Sequence, residues 1–162
     1  MKRLMLVRHA KASWHQFSKP DYKRPLNTLG KSDAKLIGQY LCDNNYCPSY
    51  IISSHATRTI ETSEILIQKL KYNTDIETQS CIYNGDVESI LKLIYNVDDK
   101  YESLMLIGHN PMITELANRV SNVNIDYMPT CSAMIIDFEF TWRKIKNNNG
   151  SLVDFIWPKK LN

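Results

Sequence analysis

Two unbroken apolar runs, residues 4–7 (LMLV) and 104–107 (LMLI), constrain the fold of this chain most tightly. Four residues are too few for a helix. With no polar alternation they suit a strand buried on both faces, the habit of parallel sheets covered by helices. Parallel neighbours need crossover connections, and the segments between the runs carry helical spacing. From Asn27 onward, Leu29, Ala34, Ile37, Tyr40 and Leu41 recur on one face until Asn44, Asn45 and Pro48 end the pattern. Residues 50–53 (YIIS) read as a second strand. Ser53, Ser54 and Thr57 then offer N-caps for a helix reaching about Leu70.

Residues 75–78 fit a third strand, and Asp86 can cap a helix whose apolar stripe is Val87, Ile90, Leu91, Ile94 and Val97. After the 104–107 run, Asn110 is placed as N-cap with Pro111 at the first helical position. Beyond residue 120 the pattern changes. Ile136, Phe138 and Phe140 alternate with Asp137 and Glu139 as in a half-exposed strand, residues 147–150 (NNNG) make a turn, and residues 152–157 return as a strand. The order predicts a three-layer α/β/α sandwich, its sheet mostly parallel with a C-terminal antiparallel hairpin, over a single domain spanning residues 1–162.

A chain of 162 residues with 43% apolar side chains can bury a core without disulfides or metal. Its four cysteines show no CxxC or zinc-ribbon spacing and are expected to be reduced thiols. The net charge of +3 is too small to mark a nucleic-acid binder. No stretch approaches the roughly 20 apolar residues of a membrane span, and the run at residues 4–7 is too short for a secretory signal. A cytoplasmic protein that binds neither nucleic acid nor membrane is expected.

In open parallel sheets, ligands bind beyond the carboxyl ends of the strands. Three such ends here carry chemistry: Arg8 and His9, then Ser53, Ser54 and His55 followed by Arg58, then Gly108, His109 and Asn110. Read singly, each has an ordinary explanation: a polar strand end, a solvated helix residue, a capping segment. Together they offer two guanidinium forks for an oxyanion, one imidazole that can attack, and a second that, protonated, can bind an oxygen. Phosphoryl transfer asks for little beyond positioning and charge stabilisation, so this set suffices without a metal or cofactor. His15 and His55 have no partner pattern and read as loop residues, and the scattered histidines show no metal-ligand spacing.

The motifs LVRHAKAS, DYKRPLNTLGKSDA (residues 21–34), SSHATRTIET (53–62), GDV (85–87), LIGHNP (106–111) and MPTCSAMI (128–135) run in one order along nearly the whole chain. In this the chain resembles the histidine phosphatase superfamily, the phosphoglycerate-mutase-like group, and within it the small SixA-type phosphohistidine phosphatases. The resemblance implies a phosphate pocket of Arg8, His9, Arg58 and His109, with Arg24 as an additional arginine near the phosphate. It implies attack by His9, a covalent phosphohistidine, and hydrolysis by water. Ala10 stands where the superfamily usually has glycine. Asn110 stands where one branch has an acidic proton donor, leaving Asp86, Glu77 and Glu88 as candidates, with Asp86 nearest the strand-end loops.

A phosphohistidine substrate relaxes the need for such an acid, because an imidazole whose other nitrogen is protonated leaves neutral. The implied substrate is a phosphohistidine-bearing protein of signal transduction, a phosphotransfer domain or a phosphocarrier protein. The alternatives are a small-molecule phosphomonoesterase using Asp86 or a glutamate as acid, and a non-catalytic phosphoprotein-binding module.

Overall fold

The computed structural model describes residues 1–14, 18–73 and 75–162. His15 lies outside the described residues. Six strands, β1 (Lys2–Arg8), β2 (Tyr50–Ser53), β3 (Glu77–Thr78), β4 (Ser103–Gly108), β5 (Ala133–Phe138) and β6 (Ser151–Ile156), form one sheet in the order β3-β2-β4-β1-β5-β6. The β3–β2, β2–β4 and β4–β1 pairs are parallel, whereas β5 runs antiparallel to both β1 and β6. The four-residue run at 4–7 is thus the middle of a seven-residue central strand.

Alternation along β1 divides the interior into two layers. Leu4 and Leu6 pack with residues of α4 (Val87–Tyr95) and α5 (Met112–Val120), among them Ile90, Leu91, Ile94 and Leu116. Met5 and Val7 pack on the opposite face with Ala34, Ile37 and Leu41 of α1 (Thr28–Asp43) and Leu66 and Leu70 of α2 (Thr57–Leu70). An unbroken apolar strand thereby serves two helical layers at once. Two short helices, α3 (Cys81–Asn84) and α6 (Pro158–Leu161), and 3₁₀ turns at Asp21–Lys23 and Trp142–Lys144 complete the order. Among the described residues no helix is long and apolar enough to cross a membrane.

Several local expectations change. β5 is buried rather than half exposed, because it lies between β1 and β6 under helices; its one charge, Asp137, takes two hydrogen bonds from Arg3 at 2.7 and 2.8 Å. Leu29, placed on the buried stripe of α1, is exposed, and Gly30 occupies the inner position instead. The N-cap of α2 is Ala56, with none of the three expected hydroxyls capping it; Ser54 Oγ accepts from the Ala56 N–H just outside the helix. The N-cap of α5 is Pro111, one residue after Asn110, whose amide donates to the Met128 carbonyl at 3.0 Å and accepts from Thr114 at 2.7 Å. Asp86 caps α4 as expected, and Asn27, where the helical pattern begins, caps α1.

The carboxyl ends of β1, β2 and β4 share one edge of the sheet, and backbone pairing continues past them. His9 N–H donates to Gly108 O at 3.1 Å and Cys131 N–H donates to His9 O at 3.0 Å, fixing the His9 main chain from both sides. The loop after β1 is held to the start of α1 by Asn27 N–H donating to Lys11 O at 3.0 Å. Gly30 lets this approach happen, since a Cβ there would stand 2.1 Å from the Lys11 carbonyl oxygen. Gly30→Ala is therefore expected to destabilise the protein by about 1–3 kcal/mol, as overpacking against a fixed backbone does, and to loosen the strand-end loop. Denaturant unfolding checks this; a variant with wild-type stability would mean the loop moves aside at no cost.

Candidate active site

His9 leaves the end of the central strand half-buried, and its Nδ1 lies 2.7 Å from the carbonyl oxygen of Ala10. A carbonyl only accepts, so Nδ1 carries the proton and Nε2 keeps its lone pair. Ala10 suits this turn: it is fully buried, has no positive φ, and its N–H donates to Thr62 Oγ1 at 3.0 Å. The loss of the usual glycine therefore carries no backbone strain. Burial pushes the His9 pKa down to about 4; the Ala10 hydrogen bond opposes this, and the positive charges of Arg58, Arg8 and Arg24 add to the depression. His9 is a neutral imidazole at physiological pH.

His109, at the end of β4, stands behind it with ring centroids 5.2 Å apart. Its Nε2 is 2.8 Å from Ser54 Oγ, a hydroxyl that also accepts from the Ala56 N–H. Nδ1 of His109 is a buried atom with no partner among the described residues. Burial, followed by repulsion from His9 and Arg58 and partly offset by Asp21, lowers the His109 pKa to about 3. The expectation of a protonated second imidazole is corrected: His109 in the unliganded chain offers a neutral N–H donor.

The arginines converge on the same place. Arg8, His9, Arg24 and Arg58 line a cavity of about 310 Å³ together with Lys11 and Thr130. Arg8 Nη1 donates to the Met128 carbonyl at 2.9 Å, which ties it to the segment leading into β5. Arg24 Nε donates to Ser13 O at 2.9 Å. Arg58 is buried and donates through Nη1 and Nη2 to Asp21. Five buried side-chain atoms have no hydrogen-bond partner among the described residues: Arg8 Nε, His55 Nδ1, Arg58 Nε, His109 Nδ1 and Ser132 Oγ. All five belong to residues at this edge of the sheet. Buried donors without partners are costly, and donors gathered in one place fit an anion.

The acidic candidates are employed elsewhere. Asp86 is exposed, and its Oδ1 accepts from the Ser89 N–H and hydroxyl at the start of α4. Glu77 accepts from Tyr50 and Gln79, and Glu88 pairs with Arg119. Two residues passed over in the sequence do reach the site. His55, in the loop between β2 and α2 as expected, packs against Tyr22 and Tyr83, with ring centroids 5.6 and 5.2 Å away. Tyr83, from the unforeseen helix α3, meets His109 edge-on at 5.4 Å. A short helix with no apolar period left no signal for it in the sequence. Among the described residues no group of three His, Cys, Asp or Glu side chains is arranged to hold a metal ion.

Known proteins resemble this chain in sequence and in fold. The profile of the histidine phosphatase superfamily (branch 1) matches residues 4–82. The uncharacterized chloroplastic protein At3g52155 of Arabidopsis thaliana is 30% identical over 156 residues, covering 88% of this chain and 70% of its own. A crystal structure from Agrobacterium tumefaciens, assigned as the phosphohistidine phosphatase SixA, superposes with a TM-score of 0.82 at 28% identity, covering 97% of this chain and 98% of that one. The protein histidine phosphatase SixA complexed with tungstate superposes with a TM-score of 0.86 at 18% identity and 99% coverage of both chains. With its strand-end residues joined in one cavity and these relatives matched along nearly its full length, the chain belongs to the histidine phosphatase superfamily and is of the SixA type.

Proposed function

We propose that this protein removes the phosphoryl group from phosphohistidine on a partner protein through a phosphohistidine formed on His9. The observation that carries the proposal is the 2.7 Å hydrogen bond between His9 Nδ1 and the Ala10 carbonyl. It fixes the tautomer, leaves Nε2 unprotonated, and points the ring from a backbone held on both sides. The neutral state set by burial makes that lone pair available at pH 7.

In the first step the Nε2 lone pair attacks phosphorus, and the P–N pair of the substrate returns to its own imidazole. That ring leaves neutral when its second nitrogen is protonated. Arg8, Arg58 and His109 donate to the equatorial oxygens, where charge is spread in the transition state, and Arg24 holds the incoming group. In the second step water forms the new P–O bond, the P–Nε2 pair returns to His9, and orthophosphate leaves. SixA binding tungstate, a tetrahedral oxyanion, supports an anion in this pocket. Asn110 after the second histidine and the outward commitment of Asp86, Glu77 and Glu88 favour a leaving group that needs no carboxylic acid.

Incubation with a phosphohistidine protein labelled in its phosphoryl group, quenched at alkaline pH, should trap label on the wild-type enzyme. His9→Ala should trap none and lose turnover on the order of 10⁵-fold, the scale of losing a nucleophile. Sugar phosphates turned over as well as the phosphohistidine protein would overturn the substrate assignment. The proton state gives an independent check. Because its pKa is depressed, His9 stays neutral on acidification and protonates only near pH 4. Its Cε1–H resonance should titrate there, well below an exposed imidazole of pKa ~6.5. A midpoint near 6.5 would mean the ring is solvated and the proposed nucleophile is not preset.

A further inference from the structure

Asp21, from the 3₁₀ turn in the loop after β1, stands behind the cavity and holds two of the arginines that line it. Its Oδ1 accepts from Arg24 Nη1 at 3.2 Å, and its Oδ2 accepts from Arg58 Nη2 at 3.1 Å and from the Tyr83 hydroxyl at 2.7 Å. Its main-chain carbonyl accepts a further hydrogen bond from Arg58 Nη1 at 3.1 Å. One residue therefore joins a strand-end loop, α2 and α3. Partial burial of the carboxyl works to raise its pKa, but the hydrogen bond from Tyr83 and then those from Arg24 and Arg58 outweigh this and hold it at about 2. The bridge is ionic throughout the physiological range.

The two pocket arginines follow one plan. Arg8 has its Nη1 fixed on a backbone carbonyl, and Arg58 has both Nη atoms fixed on Asp21; in each the Nε–H is buried and without a partner among the described residues. A guanidinium is planar, so holding one edge sets the direction of the other. Glu61, three residues on along α2, is engaged at 2.7 Å by the Leu26 N–H, and without Asp21 the long Arg58 side chain would have several rotamers to lose on each encounter.

We infer that Asp21 is the positioning residue of the phosphate pocket, aiming the Arg58 guanidinium and locking Arg24 to it through a single carboxylate backed by Tyr83. It touches neither phosphorus nor the leaving group and works through the arginines, so its contribution falls on the transition state more than on ground-state binding. This rests on the phosphoryl-transfer reading of the pocket but not on which phosphorylated substrate is used.

Asp21→Ala should lower kcat on the order of 10²-fold with KM changed far less, the scale of a misaimed catalytic group, and Asp21→Glu should recover part of the loss. In an Arg58→Ala background the same substitution should add little, because the group it aims is gone. Affinity for orthovanadate, which adopts the transition-state geometry, should fall in Asp21→Asn well beyond the change for inorganic phosphate. That binding measurement needs no turnover. If the wild type fails on phosphohistidine proteins yet binds orthovanadate in an Asp21-dependent way, the substrate assignment falls and the positioning role stands. An Asp21→Asn protein that binds orthovanadate as tightly as wild type, or tighter, overturns the inference: the carboxylate would then be a competitor for the arginines. Fully additive losses in the double variant would overturn it as well.

Discussion

The hydrogen bond from the His9 ring to the carbonyl of the next residue is the contact on which the site depends. It works because the central strand ends inside the protein. An imidazole in water shares its proton between two nitrogens and titrates near neutrality, whereas one buried against a fixed carbonyl has a single tautomer and stays neutral. The same burial that lets residues 4–7 serve two helical layers therefore prepares the side chain that follows them. Stability and reactivity share one origin.

Around that ring the protein gathers positive charge that the average composition hides. The net charge is only +3, yet Arg8, Arg24, Arg58 and Lys11 line one cavity. Such a group is tolerable because each guanidinium is tied at one end to a carbonyl or to Asp21. The remaining donors, including neutral His109, are spared the repulsion a second imidazolium would add. The low pKa of His9 comes first from burial and then from the nearby arginines, and with its ring centroid 5.2 Å from that of His109 a charge on either imidazole opposes a charge on the other. In the proposed reaction the neutrality of His9 matters for attack rather than for anion binding, because an attacking nitrogen must not itself be protonated.

The differences between sequence expectation and structure fall where local pattern meets tertiary neighbours. Strand β5 looked half exposed because its charges alternate, but between β1 and β6 both faces are covered and Asp137 is neutralised by Arg3. Asp86 looked like a candidate proton donor by its nearness to the strand-end loops, and it serves α4 as a cap. Tyr83 and Asp21 reach the pocket from segments with no periodicity, where spacing carries no information about direction.

What the sequence alone determined is the frame: continuous apolar runs dictate a sheet buried on both faces, and the polar residues directly after them must gather at its carboxyl edge. Arg8, His9, Arg58 and His109 were legible for that reason, since their place follows from the ends of regular elements. The tertiary structure alone decided protonation and direction: the tautomer of His9, the neutrality of His109, and the carboxylate that turns Arg58 and Arg24 inward. Those properties depend on desolvation and on partners distant in the chain, and local residue order encodes neither.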